Sequence, residues 1–230
     1  MIAPSRASAS PHALAEAGAA VVVGDVLEDE GRATAAEIAD KGGRAGFVAL
    51  DVTDEASWEA AIAATVGEVG GLDILVNNAG VGGYRPFLEW SEEDYDRIMA
   101  TNAKSTWLFC KEVIPHMRNQ GGGQIINVAS VAGLQGYPTE AIYCASKFAQ
   151  VGMTQALDRE FFKEGIKVTA VCPGGVETHF ALGDGRTSGG ENMKGFSTAE
   201  DVAEAVVLAA IPRERTRIVN IIMRPMNEMT

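Results

Sequence analysis

The chain has 230 residues, 47% of them hydrophobic, and a formal net charge of −12. That length builds one domain of ordinary size, or two at most, and no run approaches the ~20 apolar residues of a membrane span. The acidic balance leaves no basic stripe to neutralise phosphates, which excludes nucleic acid as an expected partner.

Ser10-Pro11 reads as a helix start, with Ser10 as N-cap and Pro11 at the first helical position. Gly18 is placed to end that helix. Residues 19–24 read as a buried strand ending at Asp25. A helical pattern over 28–41 stops at Gly42-Gly43, and residues 45–50 form the next strand, ending at Asp51. Residues 55–69 are helical, capped by Thr53 or Asp54. Residues 73–76 form a strand running into Asn77, and residues 92–117 carry helical periodicity with a break near Thr101-Asn102. Gly121-Gly122-Gly123 separate this helix from a strand ending at Ser130. A helix spans 141–163, and a strand over 168–171 ends before Pro173. Residues 178–195 are polar and glycine-rich, which predicts a mobile loop. A helix over 199–210 and an apolar strand over 218–223 complete the chain.

Strands that alternate with helices predict a doubly wound parallel sheet covered on both faces. The expectation is a single α/β domain over residues 1–230. Ligands in such sheets lie beyond the carboxyl ends of the strands. Asp25, Asp51, Asn77, Ser130 and Pro173-Gly174 each follow a strand. Cys110, Cys144 and Cys172 lack metal-ligand spacing and read as small buried residues of a reducing compartment. His12, His116 and His179 are scattered, so no metal site is expected. The N-terminus has no apolar core of the signal-peptide kind, and a cytoplasmic protein away from membranes is the expectation.

The chemistry centres on Tyr143-Cys144-Ala145-Ser146-Lys147. Four residues of spacing on a helix put Tyr143 and Lys147 on one face. A free phenol has a pKa of about 10, and a nearby ammonium is expected to lower it. A hydroxyl such as that of Ser130 could hold a carbonyl oxygen while charge develops on it. Tyr-x-x-x-Lys is also common on exposed helices, so the pair gains meaning from its company. Leu72-Asp73-Ile74-Leu75-Val76-Asn77-Asn78-Ala79-Gly80 lies upstream, followed by Asn102, Ser130 and Pro173-Gly174 in order.

In that combination and order, the chain resembles the short-chain dehydrogenase/reductase family from about Leu14 to the C-terminus. The resemblance implies a Rossmann-like oxidoreductase that passes a hydride between a nicotinamide cofactor and an alcohol or carbonyl substrate. Tyr143 would exchange the proton, and Lys147 would lower its pKa and bond the nicotinamide ribose. Ser130 would hold the substrate oxygen, and Asn102, in a helix break, would support a proton relay through water. Asp25 would accept from the adenosine ribose and repel a 2′-phosphate, favouring NAD(H) over NADP(H). Asp51 and Val52 resemble the adenine-contacting pair, though Asp51 also suits a helix-capping loop. Asn77, Ala79 and Gly80 resemble the strand-end motif beside the cofactor. Pro173 and Gly174 resemble the loop flanking the nicotinamide, and Val176 and Thr178 the contacts to its carboxamide. The family also implies a homotetramer or homodimer built on the helices around Asn102 and Tyr143.

One segment departs from the pattern. Family members open with a buried strand and the turn Thr-Gly-x-x-x-Gly-x-Gly, whose N–H groups meet the pyrophosphate. Residues 1–13 contain no glycine and no apolar strand, as in a truncated or altered start. The expectation is a gapped sheet centre with the first strand missing, low stability and weak dinucleotide affinity. A catalytically silent scaffold or binding protein that keeps the fold is the alternative this feature raises.

Overall fold

The structure, a computed structural model, describes residues 9–178, 180, 195–211, 213 and 215–227. In chain order the elements are α1 (Ser10–Glu16), β1 (Ala20–Asp25), α2 (Glu28–Asp40), β2 (Arg44–Ala49), α3 (Glu55–Val69) and β3 (Ile74–Asn77). Then come α4 (Glu92–Met99), α5 (Ser105–Gln120), β4 (Gly123–Val128), α6 (Ala141–Phe161), β5 (Ile166–Pro173), α7 (Ala199–Ala210) and β6 (Asn220–Met223).

Local chemistry sets the boundaries. The Asp54 carboxylate accepts from Ser57 N–H at the start of α3, and Gly70 closes that helix at φ 84°. Ser91 with Asp94, and Thr198 with Asp201, form reciprocal capping boxes at the starts of α4 and α7. At α1 the expectation fails. Ala9 is the N-cap, no side chain caps the helix, and Ser10 is its first residue. Pro11 still sits at the helix start, where its missing N–H costs nothing.

All described strand pairs are parallel. β1 pairs with β2, and β3, β4, β5 and β6 form a run in that order. Successive residues of β4 point to opposite faces, as a strand's period of two requires. Ile125 joins Trp58, Ile62, Phe109, Val113 and Met117 from α3 and α5. Ile126 joins Leu14 of α1 and Val202, Val206 and Ala209 of α7, together with Val21, Val23 and Val76. Helices on both faces therefore cover the sheet, as the alternation predicted. Among the described residues no strand bridges β1 and β3. The expectation of a missing first strand falls largely on residues 1–8, which lie outside the described ones.

The helical stretch breaks where its sequence suggested. Residues Ala100–Lys104 form a π-helical turn, and Ser105 N–H donates to Ala100 C=O, five residues back. Serine and threonine hydroxyls in helices also bond back to carbonyls four residues earlier. Here hydroxyls reach them: Ser105 Oγ donates to Thr101 C=O, and Thr106 Oγ1 donates to Asn102 C=O at 2.9 Å.

Candidate functional site

A cavity of about 360 Å³ opens beyond the carboxyl ends of β3, β4 and β5. Gly80 comes to it from the end of β3, Ser130 from that of β4, and Pro173 and Gly174 from that of β5. Tyr143 and Lys147 reach it from the first turns of α6, and Val176 and Thr178 from the chain after β5. A narrow adjoining cleft holds Val52, Asn77 and Ala79. Eight of the residues singled out by sequence thus meet in one cavity and three in its neighbour.

The remaining three lie elsewhere. Asp25 ends β1, buried, with Oδ1 accepting from Leu27 N–H at 2.9 Å. Its burial raises the carboxyl's pKa against the backbone bonds that lower it. Asp51 caps its own loop, taking Thr53 N–H and Thr53 Oγ1 on Oδ1. Asn102 is fully buried behind the cavity. Its Nδ2 donates to Val81 C=O and Ser146 Oγ, and its Oδ1 accepts from Val81 N–H, all within 2.9 Å. The side chain is committed to holding the chain after β3 against α6.

Asn77 ties neighbouring strands. It stands opposite Asn127 in the parallel register and donates to Asn127 Oδ1 at 2.8 Å. Ser130 Oγ accepts from Ala132 N–H at 3.1 Å. The Lys147 Nζ lies 5.7 Å from the centre of the Tyr143 ring and donates to Val128 C=O and Gln150 Oε1.

Spacing alone predicts that the ammonium lowers the phenol's pKa, and the structure corrects this. Burial is the larger influence and pushes the Tyr143 phenol above its usual value, while a hydrogen bond with Ser130 opposes it. Burial also pushes Lys147 down to about 7, with Cys172 opposing. The phenol is therefore protonated at neutral pH, ready to give its proton to an oxygen that gains negative charge.

The cavity also contains residues that sequence reading passed over. Tyr84, Tyr137 and Phe180 line it, and the Phe180 ring lies 5.4 Å from that of Tyr143. Gln150 stands behind Lys147. Its signal is legible in retrospect: Tyr143, Lys147, Gln150, Thr154 and Asp158 recur at helical spacing, and all are buried. A stripe of polar residues on the inward face of a helix marks a network, because each must find a partner.

The geometry fits a nicotinamide at the cavity end of the site. Gly80 lies against the cavity, where a Cβ would stand at an ordinary contact distance of 3.6 Å from Lys147 Nζ and from Asn102 Oδ1. Lys147 can make three donations and shows two to the protein.

A sequence profile described as short chain dehydrogenase matches residues 7–186. An uncharacterized oxidoreductase of Thermotoga maritima is 39% identical over 207 residues, covering 85% of this chain and 82% of that protein. The 3-alpha-(or 20-beta)-hydroxysteroid dehydrogenase of Mycobacterium bovis is 40% identical over 166 residues, or 72% of this chain; the match spans 63% of the relative's length. Among solved structures, the 3-ketoacyl-(acyl-carrier-protein) reductase of Brucella melitensis complexed with NADH superposes with a TM-score of 0.85. It is 30% identical, and the match covers 94% of this chain and 90% of that one. The chain belongs to the short-chain dehydrogenase/reductase family, oxidoreductases that use a nicotinamide cofactor to transfer a hydride to or from an alcohol or carbonyl substrate.

Proposed function

We propose that this chain oxidises an alcohol or reduces the matching carbonyl compound with NAD(H), using Tyr143 as the acid/base. The observation that carries this reading is the meeting of Ser130, Tyr143 and Lys147 in one cavity at the strand ends. A bound nicotinamide supplies or accepts the hydride. Ser130 donates to the substrate oxygen, and Tyr143 passes that oxygen its proton or takes it back. Lys147, held by Val128 and Gln150, stands beside the phenol and turns a remaining N–H toward the cofactor's ribose. Asn102 fixes the backbone that carries this group. Pro173, Gly174, Val176 and Thr178 wall the nicotinamide, and Val52, Asn77, Ala79 and Gly80 flank the rest of the dinucleotide, with Asp51 in the loop beside Val52. Titrating NADH fluorescence with the purified chain tests the reading; no binding at millimolar cofactor would favour the silent scaffold instead.

Asp25 supports the NAD(H) preference. A carboxylate at the end of β1 accepts from ribose hydroxyls and repels a 2′-phosphate. The dissociation constant for NADH is expected to be lower than that for NADPH, and Asp25→Ala should narrow the gap. Equal constants in the unaltered chain would contradict this role.

We further propose a cytoplasmic homodimer or homotetramer. Tyr95 on α4, Trp107 on α5 and Phe148 on α6 are each about half exposed, at 47, 50 and 48%. These are the helices around Asn102 and Tyr143, which the family resemblance implies as the interface, and that placement supports the reading. Light scattering is expected to give at least twice the chain mass, and a monomer alone would count against it.

A further inference from the structure

Behind Lys147 runs a chain of hydrogen bonds with one direction. Nζ donates to Gln150 Oε1 at 2.7 Å, Gln150 Nε2 donates to Thr106 Oγ1 at 2.8 Å, and Thr106 Oγ1 donates to Asn102 C=O at 2.9 Å. Gln150 and Thr106 are buried, with exposures of 0 and 2%. The direction is forced from the far end. The π-helical turn offers the Asn102 carbonyl, the Thr106 proton goes to it, and Thr106 can then only accept from Gln150. An amide that gives its N–H to Thr106 must show its oxygen to Lys147.

We infer that Gln150 is a positioning residue for the reaction proposed above: it aims the Lys147 ammonium and holds it charged through the Thr106–Asn102 chain. This rests on the reading of Lys147 as part of the active site. An ammonium taken out of water loses its charge unless acceptors replace the water. Val128 C=O and Gln150 Oε1 are those acceptors here. The titratable groups that face Lys147 are Tyr143 on its own helix and Cys172 on β5. Burial raises both, so both are neutral near pH 7 and neither replaces Gln150 as an anchor.

The test is the titration of Lys147 in the full chain labelled with [ε-13C]lysine, with the resonance assigned by Lys147→Arg. Gln150→Leu removes an acceptor and should move the midpoint down by about one pH unit or more. Gln150→Glu places a carboxylate on the ammonium and should move it up. Thr106→Val, which frees the amide to turn, should move it down by less than Gln150→Leu. A merely structural glutamine would lower the melting temperature in all three variants without opposite shifts. A midpoint unmoved in both Gln150 variants, or moved the same way in both, overturns the proposal. Reduction of cyclohexanone by NADH is followed in parallel, where the alkaline limb of kcat/KM should move with the Lys147 midpoint. Absence of turnover in the unaltered chain would count against the enzymatic reading, while the lysine titration still decides the role of Gln150.

Discussion

Tyr143→Phe is expected to lower kcat by about 10²- to 10⁴-fold, the range for losing a general acid or base. At 1.36 kcal/mol per decade, this is about 3–5 kcal/mol of barrier. The change removes one oxygen and leaves the ring, so contact with Phe180 persists. Binding of NADH should change little, because the walls of the cavity are untouched. The effect should therefore fall on kcat, as for an interaction made only in the transition state. Steady-state kinetics with NADH and a simple ketone, beside fluorescence titration of NADH, separate the two. Turnover close to that of the unaltered chain would show that Tyr143 does not carry the proton.

The second large effect concerns stability. Replacing residues 1–13 with an apolar strand and a glycine-rich turn ahead of Leu14 should raise the melting temperature and tighten NADH binding together. Among the described strands, β1 pairs only with β2, and β3 only with β4. A strand set between them would bury several apolar side chains at about 1.5–3 kcal/mol each. It would also add ladder hydrogen bonds at roughly 1 kcal/mol each. Even a net gain of about 3–5 kcal/mol, after ordering costs, means roughly 10 °C for a domain of this size. Calorimetry and NADH titration on both chains test this. A rebuilt chain that melts and binds like the original would refute the argument, as would micromolar NADH affinity in the original.

Much of the architecture is legible in the sequence because periodicity and punctuation agree. The helices over Glu55–Val69 and Ala199–Ala210 fall where their patterns and caps place them. The break near Asn102 is visible as well, although its form as a π-helical turn is not. Ser10 shows where local rules lose. A serine before a proline is a good cap by propensity, yet here it is 2% exposed against the cavity. Tertiary packing decided that position. Tyr143 fails for a related reason. Spacing tells which charge is near, whereas the phenol's pKa follows chiefly from burial, which only the assembled fold reveals. Gln150 was open to discovery as a polar residue on an inward helical stripe, but its partner Thr106 comes from another helix.

The wide turn at Ala100–Lys104 carries a consequence for how this chain can change in length. It lodges one additional residue in what would otherwise be a single helix running from Glu92 to Gln120. Each residue turns a helix by ~100°. The wide turn absorbs the additional residue locally, so Phe109, Val113 and Met117 look inward, and Trp107 out, as on an uninterrupted helix one residue shorter. Deleting one residue within the turn would close it to regular helix and leave the apolar face and Thr106 near their places, whereas a deletion within the regular turns of α5 would rotate everything after it by ~100°. The turn is thus the place in this stretch where a one-residue loss keeps the register, while such deletions elsewhere along α5 are closed off.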